Sequence, residues 1–392
     1  MKIIHLIDYY QPQVGYQEYF LAREHAKAGH KTYVITSDKY FPFEDYENTY
    51  KVILGNRKTW TGERIEDGIN IIRLNCVELP NTNLIFLYGL KKTISKINPD
   101  LIICHGVYSI TSFLISIYKK DLGFKLIYDN HAAAFNTDFN RTVLRKIYHG
   151  FYQRFFSGSI KKNADKIFAV GEAEQDFISH DLDLPKKRIP LIRLGVDTDL
   201  FRFSEQARNN IRSNLKFSKE DKVIIFTGKI TPNKDVHILI QALEKFNEKK
   251  FVLLLIGNGP EDYINKIKNL AKITRLIHMP FVKNNDLPKF FNASDIAVYP
   301  GDYTISIHEA IACKLPVVLP RWYGSEYLDT SVGIIRFQKN DINDLFQKIK
   351  HLAYNDDLIQ SFGKLNSKFA KIKLDWGKIS QQVIKLGFGQ NL

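Results

Sequence analysis

Cysteine is scarce in this chain: Cys76, Cys104 and Cys313 are the only three in 392 residues, and they lie far apart in apolar runs. A disulfide frame or a zinc site needs thiols gathered in closer groups. The spacing therefore predicts reduced, buried thiols, as in a cytoplasmic protein. Long apolar runs are missing too. No stretch approaches the ~18 apolar residues that a membrane-spanning helix needs. The opening MKIIHLIDYYQP breaks its apolar run at Asp8, too early for a signal peptide. Any meeting with a membrane is thus expected at its surface. There is no low-complexity segment and no short-period repeat, and no recognised nucleic-acid motif accompanies the charge.

What is present is an ordinary globular composition, 44% hydrophobic and 25% charged, with an unusual net charge of +14. Such length favours two or three domains over one core. The positive excess draws a protein toward nucleotides, nucleic acid or an anionic membrane face. Lysine enrichment alongside abundant Ile and Asn, as an AT-rich genome produces, gives the same number. Composition alone leaves both readings open.

Short β-rich runs alternate with helical patterns. KIIHLI (2–7) precedes a helix near 16–29, and KTYVIT (31–36), DLIICH (100–105), KLIYDNH (125–131) and KIFAVG (166–171) follow. The series restarts with KVIIFTG (222–228), FVLLLIG (251–257), DIAVYP (295–300) and PVVLP (316–320). Strands separated by helices predict parallel βαβ units. The fold class expected is α/β, with two Rossmann-like, doubly wound parallel sheets facing a central cleft. The domains would be 1–195 and 196–375, joined through LIRLGVDTDLF (191–201). A last helix at about 376–392 would pack back on the first domain. Such sheets bind ligands at the carboxyl ends of their strands, but the layout alone names no chemistry.

Two segments carry chemistry. In GKITPNKDVHILIQAL a strand ends at Gly228, and Lys229 and Lys234 follow before a helix. A small residue, a helix N-terminus and two ammonium groups suit a diphosphate; two solvated lysines are the competing reading. In VYPGDYTISIHEAIACKLPVV, Glu309 opens a helix just after a polar loop. A carboxylate there can accept both hydroxyls of a ribose, and the amides of Thr304 and Ile305 would face phosphate. A glutamate that merely complements the helix dipole is the alternative.

Together these segments resemble the retaining glycosyltransferases of family 4, the "group 1" transferases with the GT-B fold. QPQVGYQEYFLAREHAKAGHKTYVIT is similar to the family's glycine loop and first helix, and LIRLGVDTDLF to its interdomain segment. GKITPNKD is similar to its basic diphosphate motif. LLIGNGP, MPFVKNNDLPKFFNASDIAVYP and EAIACKLPVV then occur in the family's order, and GSEYL, VGII and LDWGKIS resemble its C-terminal helix starts. The resemblance implies transfer of a sugar from a nucleotide-diphosphate sugar, a UDP-sugar by default, with retention and without a metal or other cofactor. Lys229 and Lys234 would hold the diphosphate and stabilise its developing charge, and Glu309 would bind the ribose. The backbone at Phe281 and Val282 would cradle the base, and Gly15, with Tyr16 beside it, would approach the phosphates. His131, in YDNHAAAF, would face sugar and acceptor; a histidine locked in the core competes with that reading. His105 would at most support the cleft.

The sequence also departs from the family's pattern. Its first acidic position before Glu309 is Gly301, with Asp302 adjacent as a substitute. The usual Arg is Lys229, the usual Lys-Gly pair is Lys234-Asp235, the second loop glycine is Tyr16, and Leu194 stands before the Gly-Val-Asp. These changes suggest altered donor-sugar specificity. The implied setting is cytoplasmic synthesis of a bacterial cell-envelope polysaccharide, lipopolysaccharide or glycolipid, with a glycan or lipid-linked acceptor and no nucleic acid. In VLRKIYHGFYQRFFSGSIKK (143–162) apolar residues recur at helical spacing among Arg145, Lys146, Arg154, Lys161 and Lys162. That suits either peripheral contact with anionic lipid or ordinary packing on the first sheet, and packing is the expectation for the stripe as a whole. A nucleotide-binding protein without turnover and a sugar-nucleotide epimerase remain the alternative functions.

Overall fold

A computed structural model describes residues 1–43, 46–79, 84–134, 136–137, 143–331 and 333–390. The chain forms two compact units, one of Met1–Leu194 with Trp376–Leu392 and one of Gly195–Asp375.

In the first unit the strands in chain order are β1 (Lys2–Leu6), β2 (Lys31–Ser37), β3 (Gly62–Glu66), β4 (Ile69–Leu74), β5 (Cys76–Glu78), β6 (Ile85–Leu87), β7 (Leu101–His105), β8 (Lys125–Asn130) and β9 (Lys166–Ala169). Seven of them form one sheet in the order β3-β4-β2-β1-β7-β8-β9. Its central strands are parallel and covered on both faces, which is why they read as near-continuous apolar runs. The exception is β3, which runs antiparallel to β4 at the edge and is exposed along its length. A small hairpin, β5 with β6, stands apart.

The last helix, Trp376–Gly387, belongs to this unit although it follows the whole second unit in sequence. The Trp376 ring stacks on Phe20 at 5.5 Å, and Val383 is fully buried. It ends at Gly387 rather than running to the expected 392, and residues 391–392 lie outside the described ones.

The second unit contains β10 (Lys222–Thr227), β11 (Phe251–Ile256), β12 (Arg275–Met279), β13 (Ile296–Val298), β14 (Val317–Pro320) and β15 (Ile334–Phe337). All are parallel, in the order β12-β11-β10-β13-β14-β15. The order reverses between β10 and β13, the switch point at which open α/β sheets leave a crevice. FVLLLI in β11 is buried throughout, as a strand covered by helices on both faces must be.

Three expectations need correction. VGII, taken as a helix start, forms β15 through Ile334 and Ile335, while Val332 lies outside the described residues. Cys104 and Cys313 are buried, but Cys76 is only half-buried, because β5 lies in the peripheral hairpin. The 143–162 stripe does not pack as one face. It is a helix (Val143–Phe151), a wider π turn (Tyr152–Phe156) and a further helix (Ser157–Asn163). The π turn shifts the register, so Tyr152 and Ile160 are buried while Leu144, Ile147, Phe151 and Phe155 are exposed. Among the described residues no helix is long and apolar enough to cross a membrane.

Candidate functional site

The second unit gathers its candidate residues at the switch point. After β10 the chain turns at Gly228 with φ of 134°. Gly257, after β11, lies so close to the Gly228 carbonyl that a side chain there would strike it. The Ile230 N–H donates to the Asn258 carbonyl at 2.8 Å, and the Phe281 N–H donates to Asn258 Oδ1 at 3.3 Å. Asn258 thus ties the 280–282 segment to the basic loop. Phe281 is exposed, while Val282 packs on the core.

Residues Pro232–Lys234 form one tight turn, and Asp235 takes a left-handed φ of 53° before the helix Val236–Glu244. Lys229 is exposed. Lys234 reaches across to the neighbouring loop, donating through Nζ to the carbonyls of Asp302 at 3.0 Å and Tyr303 at 2.7 Å. Burial and the nearby Lys229 lower its pKa, and Asp302 opposes them. Two carbonyls take two of the three ammonium hydrogens, so one is left for a ligand.

On the facing loop, Tyr299 donates to the Ser306 carbonyl at 2.9 Å and pairs with the Thr227 hydroxyl at 3.0 Å. This pins the start of the helix Ser306–Ala312 to the end of β10. Thr304 Oγ1 lies 3.5 Å from where a Cβ on Gly228 would sit, and Ile305 immediately precedes that helix. That helix opens at Ser306 rather than at the expected Glu309, which stands in its first turn. Glu309 Oε2 is buried without a hydrogen-bond partner, and burial pushes its pKa up to about 7 against one hydrogen bond from Ser306. A buried carboxylate oxygen without a donor is costly, and a ligand hydroxyl removes that cost.

Gly301 has a steric explanation. A Cβ there would lie 2.5 Å from the Cα of Lys234, within the 232–235 turn. An acidic side chain therefore cannot occupy this position while the turn holds its present course. Asp302 instead faces outward, accepting from Asn233 Nδ2 at 2.9 Å and pairing with Lys339 at 3.4 Å. We expect Gly301→Ala to cost about 2 kcal/mol of stability, as overpacking against backbone does, and Gly301→Glu to cost more. A Gly301→Glu variant that melted like wild type would show that the turn gives way freely.

In the first unit, His131 follows β8 and lines a cavity of 260 Å³ with Gly106–Ser109, Asn130, Ala132 and Thr137. Its Nε2 lies 3.4 Å from Asp129 Oδ2, and its side chain is 41% exposed. Burial lowers its pKa, but Asp129, Glu18 and Glu174 together outweigh that and raise it. Asp129 is fully buried. It accepts from Gln17 Nε2 at 2.8 Å, from the Gly106 N–H at 2.8 Å and from His105 Nδ1 at 2.5 Å. Gly15 takes a left-handed φ of 76°, and Tyr16, 38% exposed, precedes the helix Gln17–Lys27. Gln17 then links that loop to Asp129. Among the expected residues, the structure thus brings together Gly228, Lys234, Asp302, Thr304 and Glu309 in one unit, and His131 with the Gly15 loop in the other.

Sequence reasoning missed Asp8, Glu18 and Asp129. Asp8 lies just beyond β1, its carboxyl pushed up to about 6 by burial, against hydrogen bonds from Thr111 and Ser109. Its Oδ1 is buried without a partner. The available signal was positional: Asp8 and Asp129 stand at the carboxyl ends of strands flanking or next to the β1–β7 switch point.

Residues 18–200 match the family described as Glycosyltransferase Family 4, and residues 221–355 match Glycosyl transferases group 1. A glycosyltransferase of Methanocaldococcus jannaschii is 27% identical over 241 residues, which is 59% of this chain and 62% of that protein. Mannosylfructose-phosphate synthase of Agrobacterium fabrum is 24% identical over 59% of this chain and 55% of its own. The matched stretches thus span about half to three fifths of these relatives. Among solved structures, Anabaena HepE in complex with UDP aligns with a TM-score of 0.69 at 18% identity, covering 98% of this chain and 99% of that one. A glycosyltransferase of Rickettsia africae aligns with a TM-score of 0.73 at 15% identity, covering 99% and 98%. At such identities the likeness speaks for the fold, and the family matches speak for descent. The chain belongs to the group 1, family 4 glycosyltransferases and has their GT-B fold.

Proposed function

We propose that the protein transfers a glycosyl group from a UDP-sugar to a hydroxyl of a glycan or lipid-linked acceptor, with retention and without a metal ion. The observation that carries this reading is the unpartnered, buried Oε2 of Glu309, on the helix that follows the loop whose Asp302 and Tyr303 carbonyls hold Lys234. A ribose supplies the missing donors, and the diphosphate then falls to Lys229, Lys234 and the amides near Thr304 and Ile305. The base lies along the backbone at Phe281 and Val282. In the reaction the bond from the sugar's anomeric carbon to the β-phosphate oxygen breaks, and a bond to the acceptor oxygen forms on the same face. The acceptor proton passes to a phosphate oxygen. The lysines balance the growing charge, as a metal does in other enzymes. In the first unit, His131 and the cavity it lines are given to the acceptor hydroxyl.

The acceptor belongs to cell-envelope polysaccharide, lipopolysaccharide or glycolipid synthesis at the cytoplasmic membrane face. The exposed Leu144, Ile147, Phe151 and Phe155, interleaved with Arg145, Lys146 and Arg154, support that setting, since apolar and cationic groups together suit an anionic interface.

Calorimetric titration of UDP and of GDP into the protein in EDTA tests the reading. Tight binding of UDP, weaker binding of GDP, and loss of both in Glu309→Ala support it. No binding with or without Mg²⁺ would sink it. Gly301 favours a second reading, a nucleotide-binding protein without turnover, which predicts the same titration but no transfer to any acceptor extract.

A further inference from the structure

The second unit carries a cavity of 430 Å³ away from its switch point. Lys222 opens β10, Asp295 immediately precedes β13 and Leu315 stands just before β14, and all three line the cavity. It therefore lies at the amino ends of these strands, whereas Gly228 and Gly301 stand at their carboxyl ends. With six residues in β10, roughly 20 Å of strand separates the two places. Six cations line the cavity, Arg208, Arg212, Lys219, Lys222, Lys314 and Lys364, against three carboxylates, Asp221, Asp295 and Asp356. That is two to one, where the chain as a whole has 56 cations to 42 carboxylates.

The three carboxylates are already engaged. Asp295 pairs with Arg208 at 2.6 Å and Arg212 at 3.4 Å, and it accepts from the Val223 N–H at 2.8 Å. Asp356 pairs with Lys222, and Asp221 lies 3.6 Å from Arg275, which is not part of the lining. Among the described residues of the cavity, no carboxylate is left for Lys219, Lys314 or Lys364. The fold nevertheless gathers these three from separate elements. Arg212 donates to the carbonyls of Ser218 and Asp221, both at 2.8 Å, which fixes the turn that bears Lys219. Gly363 lets the helix Asp356–Phe369 lie against residue 314, since a Cβ on Gly363 would come within 2.1 Å of the Lys314 carbonyl oxygen. Lys364 is thereby seated beside Lys314. Lys314 itself takes a left-handed φ of 64° just after the helix Ser306–Ala312, where glycine is the favoured residue. At some cost in strain, an ammonium stands there instead, 4.9 Å from the centre of the Phe203 ring.

Arg208 adds a donor that is fixed in advance. Its Nη1 donates to the carbonyls of Asn292 at 3.1 Å and Ser294 at 2.8 Å, and its Nη2 donates to Asp295. Two of its five hydrogens are left for a ligand. Phe291, fully buried, and Leu315 give the cavity apolar wall as well. Like charges gathered in one place repel, and a bound anion removes that cost. We propose that this cavity is a second ligand site, which binds a small soluble organic phosphate with at least two negative charges, of the size of a sugar bisphosphate. Three surplus lysines call for more than one negative charge, and the apolar wall calls for a carbon framework. The volume falls among those of small-molecule pockets, about 300–1,000 Å³. The site is independent of the roles given to Glu309 and His131.

Calorimetric titration of fructose 1,6-bisphosphate into the whole protein, in phosphate-free buffer of low salt, tests the site. One molecule should bind per chain, with the same affinity whether or not UDP is present in excess. Lys364→Gln should weaken binding about tenfold, the scale of one lost hydrogen bond to a charged group. Lys314→Gly should weaken it as much while melting no lower than wild type, since glycine suits the left-handed φ. That variant separates a lost ligand contact from a folding defect. Lys249→Gln removes an exposed lysine outside the cavity and should leave binding unchanged. No binding at millimolar bisphosphate overturns the proposal. Equal weakening by all three substitutions also overturns it, because the anion would then answer only to overall charge. Loss of binding in the presence of UDP would put the anion in the donor crevice and refute a second site. Displacement of the bisphosphate by phosphatidylglycerol vesicles would overturn the soluble ligand in favour of a lipid headgroup.

Discussion

Lys234→Ala is expected to lower kcat for sugar transfer by about three orders of magnitude, or ~4 kcal/mol, the scale of removing one preorganised charge-stabilising group. Lys234 is held by the carbonyls of Asp302 and Tyr303, so its ammonium is fixed before a ligand arrives and costs no reorganisation during the reaction. Its environment is partly buried, where a charge acts more strongly than in water. The leaving diphosphate gains negative charge as the glycosidic bond breaks, and the interaction is therefore stronger in the transition state than in the ground state. Lys229 sits exposed in solvent and should matter less, with Lys229→Ala costing about tenfold. The competing account is architectural, because Lys234 also ties two loops together. Lys234→Met separates the two, since it retains the stem and loses the charge. Both Ala and Met should lose kcat alike while differing in melting temperature. A Met variant with near wild-type kcat would show that the lysine only braces the loops.

How far this site was legible in the sequence depends on how local each signal was. KVIIFT and FVLLLI are strands covered on both faces, and such strands announce themselves as continuous apolar runs. GERIE at 62–66 is an exposed edge strand with no such run, and it passed unread. Gly228, Lys234 and Glu309 stood out because a diphosphate and a ribose would call for those residue types at strand and helix ends. Gly301 looked like a lost carboxylate from sequence, but its reason lies in the backbone of Asn233 and Lys234, which only the folded turn brings against it. The stripe at 143–162 misled because a π turn breaks its period. The hydrogen-bonded row that runs from Asp129 through His105, His5 and His25 to the Ser380 carbonyl was hidden for a different reason. Its links join residues 20, 24, 100 and 355 positions apart, and no local pattern records a pairing that the sheet order and the returning last helix create together.

Glu309→Gln should make the unliganded protein more stable at pH 8 while destroying its affinity for a UDP-sugar. The sign follows from proton linkage. Burial pushes the folded-state pKa of Glu309 up to about 7, from an ordinary glutamate value of 4.5. Below the unfolded pKa both states are protonated, and the group costs nothing. As pH rises through 7, the unfolded state has already released its proton, and the folded state must hold a desolvated charge. Stability from this group is therefore lost between roughly pH 4.5 and 7, by about 2 kcal/mol once some solvent screening is allowed for. Glutamine never takes that charge, so a thermal melt at pH 8 should rise by about 4 °C, while at pH 5 the two proteins should melt nearly together. The same linkage fixes how binding depends on pH. Ribose hydroxyls donate best to the ionised carboxylate, so UDP-glucose affinity should climb up to about tenfold per pH unit below 7 and level off above it. UDP-glucose has no ionisation of its own in that range, so any slope belongs to the protein. In Glu309→Gln the affinity should be weak and flat. A flat profile in the wild type, or a variant that binds as tightly as wild type at pH 8, would remove Glu309 from the ribose site. A variant less stable than wild type at pH 8 would mean that a donor within the fold already satisfies the buried oxygen.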